Sequence, residues 1–395
     1  MKNNSHAKSL YLTLLIGFSQ LYAWATTYYL PATLINIVPE ETGHSSLAII
    51  GGFSWALLIG GLFAPRIGAW IEKEGGRRPL ALGSLCMGLG LILLSEMHGL
   101  IVWYLGWSVI GLGMALGLFN AAFATMGRLY GHEAKRLIIR ITLISGFATL
   151  CWPIMSYLLQ SFSWRTMVLF FAIPHLLLWA PLFFFTIPRH VPLHDDTSDT
   201  AHLVAEKKVK LVFYLLASYA ILRSIVGTTI SVDILTMFQG IGLTVAAAAL
   251  CAAWIGPSQI MGRLIEMSIG RNFNPLYSSL FWTAVLPLSI FILLFIGTSA
   301  SIIFAIAYGM SNGVLSITMG ILPMILFGTK GYAKRLGQLA LPVLIAQAAT
   351  PLLVDPLIGY WSANSLFMLA GILGILALLS LMFLTLVSST KRVKK

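Results

Sequence analysis

Residues 68–79, Gly68-Ala-Trp-Ile-Glu72-Lys73-Glu-Gly75-Gly76-Arg77-Arg78-Pro79, form a short charged stretch between two long apolar runs. Each run is long enough for a membrane helix, so the stretch has to reverse the chain direction at the bilayer surface. The paired glycines permit a tight turn. Glu72 follows Gly68 by one helical turn, and the arginines across the turn lie within reach of its carboxylate. The pattern predicts two membrane helices joined by a charged hairpin.

Composition independently indicates a membrane protein. Of 395 residues, 58% are hydrophobic and only 10% are charged, whereas about a quarter of a soluble domain is charged. The mean hydropathy is +0.88. The three cysteines lie inside apolar runs, which favours packing over disulfide or metal binding. We expect no metal site and no cofactor.

Apolar runs along the chain predict an all-α protein with twelve transmembrane helices in two sets of six. Ala23-Trp24-Ala25 imitates a signal-peptidase site, but the first run continues beyond it and is interpreted as an uncleaved helix. We expect an N-terminal bundle at 1–188, a cytoplasmic linker at 189–209 and a C-terminal bundle with a basic tail at 210–395. The predicted spans are 9–38, 46–71, 79–97, 100–127, 137–161, 165–188, 210–233, 243–266, 276–297, 299–327, 337–358 and 364–387.

Basic residues are concentrated on one side of these spans. Of the 25 Lys and Arg residues, 23 fall on the side that carries both termini, and this side is predicted to be cytoplasmic. Only Arg165 falls on the opposite side, and only Arg223 lies near the middle of a span. The net charge of +12 is therefore explained by topology and by contact with anionic lipid rather than by nucleic acid.

Three short patterns recur at nearly one spacing, which indicates an internal repeat. Gly68 and Glu72 recur as Gly262 and Glu266. The glycine pair of span four recurs in span ten, and Ala-Lys-Arg-Leu at 134–137 recurs at 333–336. The offsets are 194, 196 and 199 residues. The pattern Gly111-Leu-Gly113-Met-Ala-Leu-Gly117 is interpreted as a helix-packing stripe rather than a nucleotide loop.

The charged stretch resembles the signature loop of the major facilitator superfamily, G-x-x-x-(D/E)-(R/K)-x-G-(x)-(R/K)-(R/K), and fills every defined position. The resemblance implies two six-helix bundles around a central cavity, working by alternating access. It also implies a gating role for the loop and its second copy, where Met267 replaces the basic residue. The implied gating residues are Gly68, Glu72, Lys73, Gly75, Arg77, Arg78, Glu266 and Arg271.

Arg223 is the main candidate for substrate binding. It lies about fourteen residues into span seven, near the bilayer centre at ~1.5 Å per residue. Its permanent charge requires a partner. The charge faces an anionic substrate, a water-filled cavity or a structural ion pair with Asp355 or Asp233, and these alternatives stay open.

Polar and aromatic residues at similar depth complete the candidate site, although each taken alone fits helix packing better than ligand contact. Aromatic walls, a few amides and one fixed cation suit a small organic anion with some apolar surface. His175, Asp233 and Asp355 are candidate proton carriers; His175 also fits a packing role. The predicted substrate contacts are Gln20, Trp24, Tyr28, Asn120, Trp152, Arg223, Trp254, Asn312 and Gln347.

We therefore expect a monomeric secondary transporter of the bacterial inner membrane, coupled to protons, rather than an enzyme. Its predicted substrate is an anionic metabolite such as a carboxylate or a carboxylate siderophore. The first alternative is a proton-driven drug or metabolite efflux antiporter. The glycine pattern of span five, Gly146 through Pro153, departs from that of drug exporters. A receptor or membrane enzyme on the same scaffold is a more distant alternative.

Overall fold

A computed structural model of the protein describes residues 2–188, 206–270, 273–358 and 360–388. These residues are almost entirely helical and contain no β-strand. Arg271, most of the predicted linker 189–209 and the basic tail 391–395 lie outside the described residues, as does the side chain of Asp355. The predicted division of the chain at the linker therefore stays a prediction.

By packing, the chain forms two compact units. The first comprises residues 1–197 and 329–348, and the second comprises residues 198–328 and 349–395. Helices of the first unit include two π turns, Trp24–Tyr28 and His175–Trp179, and two 3₁₀ turns, Gly131–Glu133 and Gly146–Leu150. Its α-helices are α1 Lys2–Ala23, α2 Pro31–Thr42, α3 Ser46–Glu74, α4 Arg77–Ser95, α5 Leu100–Gly117, α6 Phe119–Tyr130, α7 Ala134–Ser145, α8 Cys151–Leu158, α9 Trp164–Pro174 and α10 Ala180–Thr186.

The described part of the second unit begins with a 3₁₀ turn, Glu206–Lys208, and has another at Thr298–Ala300. Phe238, Phe304 and Phe367 pack in its core. Helix α16 contributes its residues 332–348 to the first unit. The helices are α11 Val209–Gly240, α12 Val245–Ala253, α13 Ile255–Ser268, α14 Pro275–Ile296, α15 Ser301–Phe327, α16 Tyr332–Ile358 and α17 Ala363–Ser388.

Every predicted span is occupied by helix, so the all-α prediction is confirmed. Ten stretches of the described chain are long and apolar enough to cross a membrane. One of them, Leu100–Leu158, contains the fourth predicted span and most of the fifth. The first predicted span, 9–38, is outside these ten and is built from α1, the first π turn and α2.

The two units repeat the same helix pairings. Helix α5 packs against α3 and α4, and α15 packs in the same way against α13 and α14. Glycines permit both contacts. A side chain at Gly111 would overlap the Ala56 carbonyl of α3. Likewise, a Cβ at Gly309 would lie 2.6 Å from the Ile255 carbonyl oxygen of α13. The packing role predicted for the glycine stripe of span four is confirmed, since small residues allow close helix approach.

The two glycines of the charged hairpin have different physical roles. Gly75 ends α3 with φ +86°, a conformation that residues with a Cβ rarely adopt. Gly76 has an ordinary φ of −87°, but any side chain there would overlap Thr125 on α6. The turn therefore requires Gly75 for its backbone conformation and Gly76 because no side chain fits beside Thr125.

We expect Gly76→Ala to destabilise the protein by about 1–3 kcal/mol, the usual cost of overpacking. The Thr125 hydroxyl and methyl are two of the three atoms nearest the added carbon, so Thr125→Ala should recover part of the loss. The measurement is thermal unfolding in detergent. Gly99→Ala is the control, because Gly99 is extended with φ 172° and has open space around it. Equal losses at Gly76 and Gly99 would contradict the steric explanation.

Candidate functional site

Glu72, near the end of α3, binds the N-terminus of α16 within the first unit. Its Oε1 accepts a hydrogen bond from the Gly331 N–H and its Oε2 accepts one from the Ala333 N–H, each at 3.0 Å. The first N–H groups of a helix lack intrahelical partners and carry partial positive charge, so a carboxylate is stabilised there. A Cβ at Gly68 would lie 2.5 Å from the Ala333 carbonyl oxygen. The absence of a side chain at Gly68 thus allows α3 and α16 to approach.

The other charged residues of the hairpin have separate partners. Arg78 Nη1 lies 3.3 Å from Glu74 Oε2, and both side chains are exposed. The Trp70 Nε1–H donates to the same oxygen at 3.0 Å. The Arg77 guanidinium lies 4.4 Å from the centre of the Phe184 ring. Lys73 is exposed. Sequence reasoning expected both arginines within reach of Glu72, whereas the ion pair of Arg78 is with Glu74.

The second copy of the loop differs from the first. Glu266 is buried, and its Oε2 accepts a hydrogen bond of 2.6 Å from the Ser278 hydroxyl. A side chain at Gly270 would overlap the Glu266 carboxylate. Nearby, Arg263 Nη2 donates to the Ser316 hydroxyl at 3.4 Å. The second copy therefore retains the acid, with a side-chain hydroxyl as its hydrogen-bond donor.

Six aromatic side chains in the first unit form what we call the aromatic cluster. Three of them, Trp24, Tyr28 and Trp152, are predicted substrate contacts. The Trp24 ring centroid lies 4.6 Å from that of Tyr28 and 4.8 Å from that of Phe119. Trp152 joins through Tyr29, with ring centroids 5.4 Å apart. The cluster comprises Trp24, Tyr28, Tyr29, Phe53, Phe119 and Trp152.

Irregular backbone positions this cluster. Trp24 and Tyr28 are the first and last residues of the first π turn, and π turns occur frequently at functional sites. The fourth predicted span is interrupted at Leu118, whose ψ of −169° separates α5 from α6. Gln20 Nε2 donates to the Gly117 carbonyl oxygen at this break, at 2.6 Å. Gln20 therefore compensates for the interrupted hydrogen-bond ladder.

Two buried polar atoms beside the break have no hydrogen-bond partner among the described residues. They are Gln20 Oε1 and Trp24 Nε1. Buried acceptors and donors are normally satisfied by protein, water or ligand. These two atoms are thus free to accept from and donate to a bound molecule.

The remaining predicted contacts are Asn120, Gln347 and Trp254. Asn120 is exposed one residue after the start of α6, and Gln347 is half-buried on the part of α16 that belongs to the first unit. Trp254 is exposed between α12 and α13 in the second unit.

His175 links the two π turns. Its Nε2 lies 2.9 Å from the Thr26 hydroxyl, which itself donates to the Tyr22 carbonyl at 2.8 Å. Since the hydroxyl proton is used, we assign the shared proton to Nε2 of the histidine. The ring is 1% exposed and packs 5.0 Å from the Tyr22 ring. This arrangement fits the packing role; the proton-carrier role stays a prediction.

In the second unit, two predicted residues meet. Arg223 on α11 donates from Nη2 to Asn312 Oδ1 on α15, at 2.9 Å. Within the described part of the chain, no carboxylate forms an ion pair with Arg223, and its Nε is buried without a hydrogen-bond partner. A neutral amide cannot compensate the guanidinium charge. Among the described residues, the positive charge of Arg223 therefore has no negative charge paired with it.

Asp233 is not positioned to pair with Arg223. Both residues lie on the continuous helix α11, and ten residues at ~1.5 Å each separate them by about 15 Å. Asp233 is buried. Its role as a proton carrier stays a prediction, as does that of Asp355.

Open space adjoins Arg223 on α11. Gly227 is one helical turn later, on the same helix face, and no atom beyond its chain neighbours and the local backbone of its own helix lies within 4 Å of the position that its Cβ would occupy. The Tyr308 hydroxyl donates to the Gly227 carbonyl at 3.2 Å and lies 3.3 Å from the Ser231 hydroxyl. The side of α11 that carries the guanidinium therefore offers room for a small molecule.

A model of the Major Facilitator Superfamily matches residues 13–337. The chain belongs to the major facilitator superfamily. A search of curated proteins finds no significant match. Membership agrees with the charged hairpin, and it makes this chain a multi-pass membrane protein and a secondary transporter.

Solved structures of this superfamily share the fold. FucP, an MFS transporter in the outward conformation, has a TM-score of 0.72 at 13% identity, covering 95% of this chain and 99% of that one. The proton:xylose symporter XylE, bound to 6-bromo-6-deoxy-D-glucose, has a TM-score of 0.73 at 13% identity, covering 95% of each chain. The human organic anion transporter MFSD10 has a TM-score of 0.71 at 16% identity, covering 95% of this chain and 99% of that one. These neighbours are transporters rather than enzymes, and the predicted fold class is confirmed.

Sequence reasoning missed several members of the site in this MFS protein. Tyr29, Phe53 and Phe119 belong to the aromatic cluster, and Gly227 and Tyr308 adjoin Arg223. Tyr29 and Phe119 are each next to a predicted contact in the sequence, and this proximity could have indicated that they belong to the candidate site. Gly227 follows Arg223 by one helical turn, and that spacing was the available clue.

Proposed function

We propose that this MFS protein transports a small organic anion, such as a carboxylate or a carboxylate siderophore, by alternating access. The observation that carries the proposal is the guanidinium of Arg223. It is bound by a neutral amide, it has no carboxylate partner among the described residues and it adjoins open space at Gly227. An anionic group would supply the missing charge through charge-assisted hydrogen bonds.

The aromatic cluster supports a substrate with apolar surface. Its rings provide a mostly apolar wall, and Gln20 Oε1 and Trp24 Nε1 provide one acceptor and one donor without protein partners in the described residues. Small-molecule sites commonly combine such walls with a few directed polar groups. We assign Asn120, Trp254 and Gln347 to substrate contact as weaker candidates.

We further propose proton coupling, a location in the bacterial inner membrane with both termini cytoplasmic, and a monomeric state. The placement of 23 of 25 basic residues on one side supports the orientation. XylE, a structural neighbour, is a proton symporter, which supports coupling to protons. The gating role of the charged hairpin is supported by the hydrogen bonds between Glu72 and α16.

A ligand panel tests the substrate class. We expect organic acids to raise the melting temperature of the purified protein, because a ligand at 100 times its Kd adds about 2.7 kcal/mol. The acid that stabilises most should then enter proteoliposomes saturably, and a protonophore should abolish its accumulation. Stabilisation by sugars or organic cations, without any response to organic acids, would contradict the proposal. Proton-driven extrusion of a cation would instead indicate an efflux antiporter.

A further inference from the structure

An apolar groove runs along the surface of the first unit. It lies between α4 and the segment formed by the second π turn and α10, with a volume of about 430 Å³. Leu176 closes the inner side of the groove. Its side chain packs against α4 at Gly88, where a Cβ added to the glycine would lie 2.7 Å from the leucine side chain. Its lining includes Arg78, Leu82, Leu85, Leu176, Phe184 and Phe185.

The groove faces the region that the bilayer occupies. Both flanking segments are candidate membrane spans, and the side chains of Leu82 and Phe185 are exposed by 42% and 78%. In a membrane, exposed apolar side chains of this kind contact lipid acyl chains. From Arg78 to Leu85 the groove follows two turns of α4, about 10 Å at ~1.5 Å per residue. It therefore has the shape and lining to hold part of an acyl chain.

One end of the groove carries two arginines. Arg78 lines it directly, and the Arg77 guanidinium lies on the ring of Phe184, another lining residue. The Glu74 carboxylate forms an ion pair with Arg78 at 3.3 Å, and the guanidinium groups of Arg77 and Arg78 both lie at this end. By the distribution of basic residues, this end lies at the cytoplasmic membrane surface, where anionic lipids attract Lys and Arg.

We propose that this groove binds one anionic phospholipid of the cytoplasmic leaflet. Its phosphate lies at Arg78 and Arg77, and one acyl chain follows the apolar lining toward Leu176. A zwitterionic lipid with the same chains fills the groove but gains less from the paired arginines. The bound lipid joins α4 to α10 directly beside the charged hairpin. This site is independent of the proposed substrate.

Native mass spectrometry of the purified full-length protein tests the site. We expect phosphatidylglycerol to be retained in preference to phosphatidylcholine of identical chains. Arg78→Gln should reduce that preference about fivefold, the factor equivalent to ~1 kcal/mol for one basic residue at the surface. Leu85→Trp, which fills the groove, should reduce retention of both lipids. Arg66→Gln is the control, because Arg66 is an exposed arginine of α3 outside the groove.

Three results would overturn the site. Equal retention of the two lipids by the unmodified protein would exclude recognition of the anionic headgroup. An equal effect of Arg66→Gln and Arg78→Gln would indicate general surface charge rather than the groove. Stabilisation by glycerol phosphate alone, to the same extent as by phosphatidylglycerol, would exclude a role for the acyl chain.

Discussion

Arg223→Gln should abolish binding of the anionic ligand that stabilises the unmodified protein. Glutamine keeps hydrogen-bonding capacity toward Asn312 but loses the charge that the substrate has to neutralise. A hydrogen bond to a charged group contributes about 1.5–3 kcal/mol, and a bidentate contact contains two, so a loss of about 100-fold or more in affinity follows. Arg223→Lys should only weaken binding, because lysine retains the charge without the planar fork. Thermal shifts across a ligand titration measure both effects.

A matched variant separates charge from space at this position. Gly227→Leu places a side chain in the open space beside Arg223 without changing any charge. We expect it to exclude larger acids while small ones still bind, with little loss of stability. If Arg223→Gln responds normally to the ligand, and its stability is restored only by adding Asp355→Asn, the arginine has a permanent carboxylate partner and the substrate assignment is wrong.

Glu72→Ala should release the N-terminus of α16 and impair transport. The carboxylate accepts from two backbone N–H groups, and loss of a helix N-terminal cap costs about 0.5–2 kcal/mol. Glu72→Gln retains one acceptor oxygen and should have a smaller effect. Faster hydrogen exchange in the peptide containing Gly331 and Ala333 would report the loss directly, and uptake into proteoliposomes would report its consequence.

Glu74→Gln provides the control for Glu72. Glu74 is two residues away, and its ion pair with Arg78 is exposed, which makes it worth little energy. We expect normal exchange at 331–333 and near-normal uptake in this variant. Equal defects from the two substitutions would show that the hairpin needs negative charge in general, and the specific role of Glu72 would be rejected.

Membrane spans and the charged hairpin were predictable because hydropathy and short motifs are local properties. The span predicted at 79–97 is helix Arg77–Ser95, and the one predicted at 46–71 is Ser46–Glu74. Interruptions within spans were not predicted. The π turn at Trp24–Tyr28 and the break at Leu118 occur inside continuous apolar runs, where partners from other helices stabilise a backbone that composition alone would make α-helical.

The sequence by itself identified the residue types of the candidate site: an arginine near the middle of a span, amides and aromatic residues at similar depth, and an acid in the hairpin. Only the tertiary structure determined which groups meet. Glu72 binds an N–H group 259 residues later, and Arg223 binds Asn312, 89 residues later. Such contacts depend on how each helix is rotated about its axis, and one residue turns a side chain by about 100°. Helix rotation is set by packing among all neighbouring helices, which no local pattern encodes.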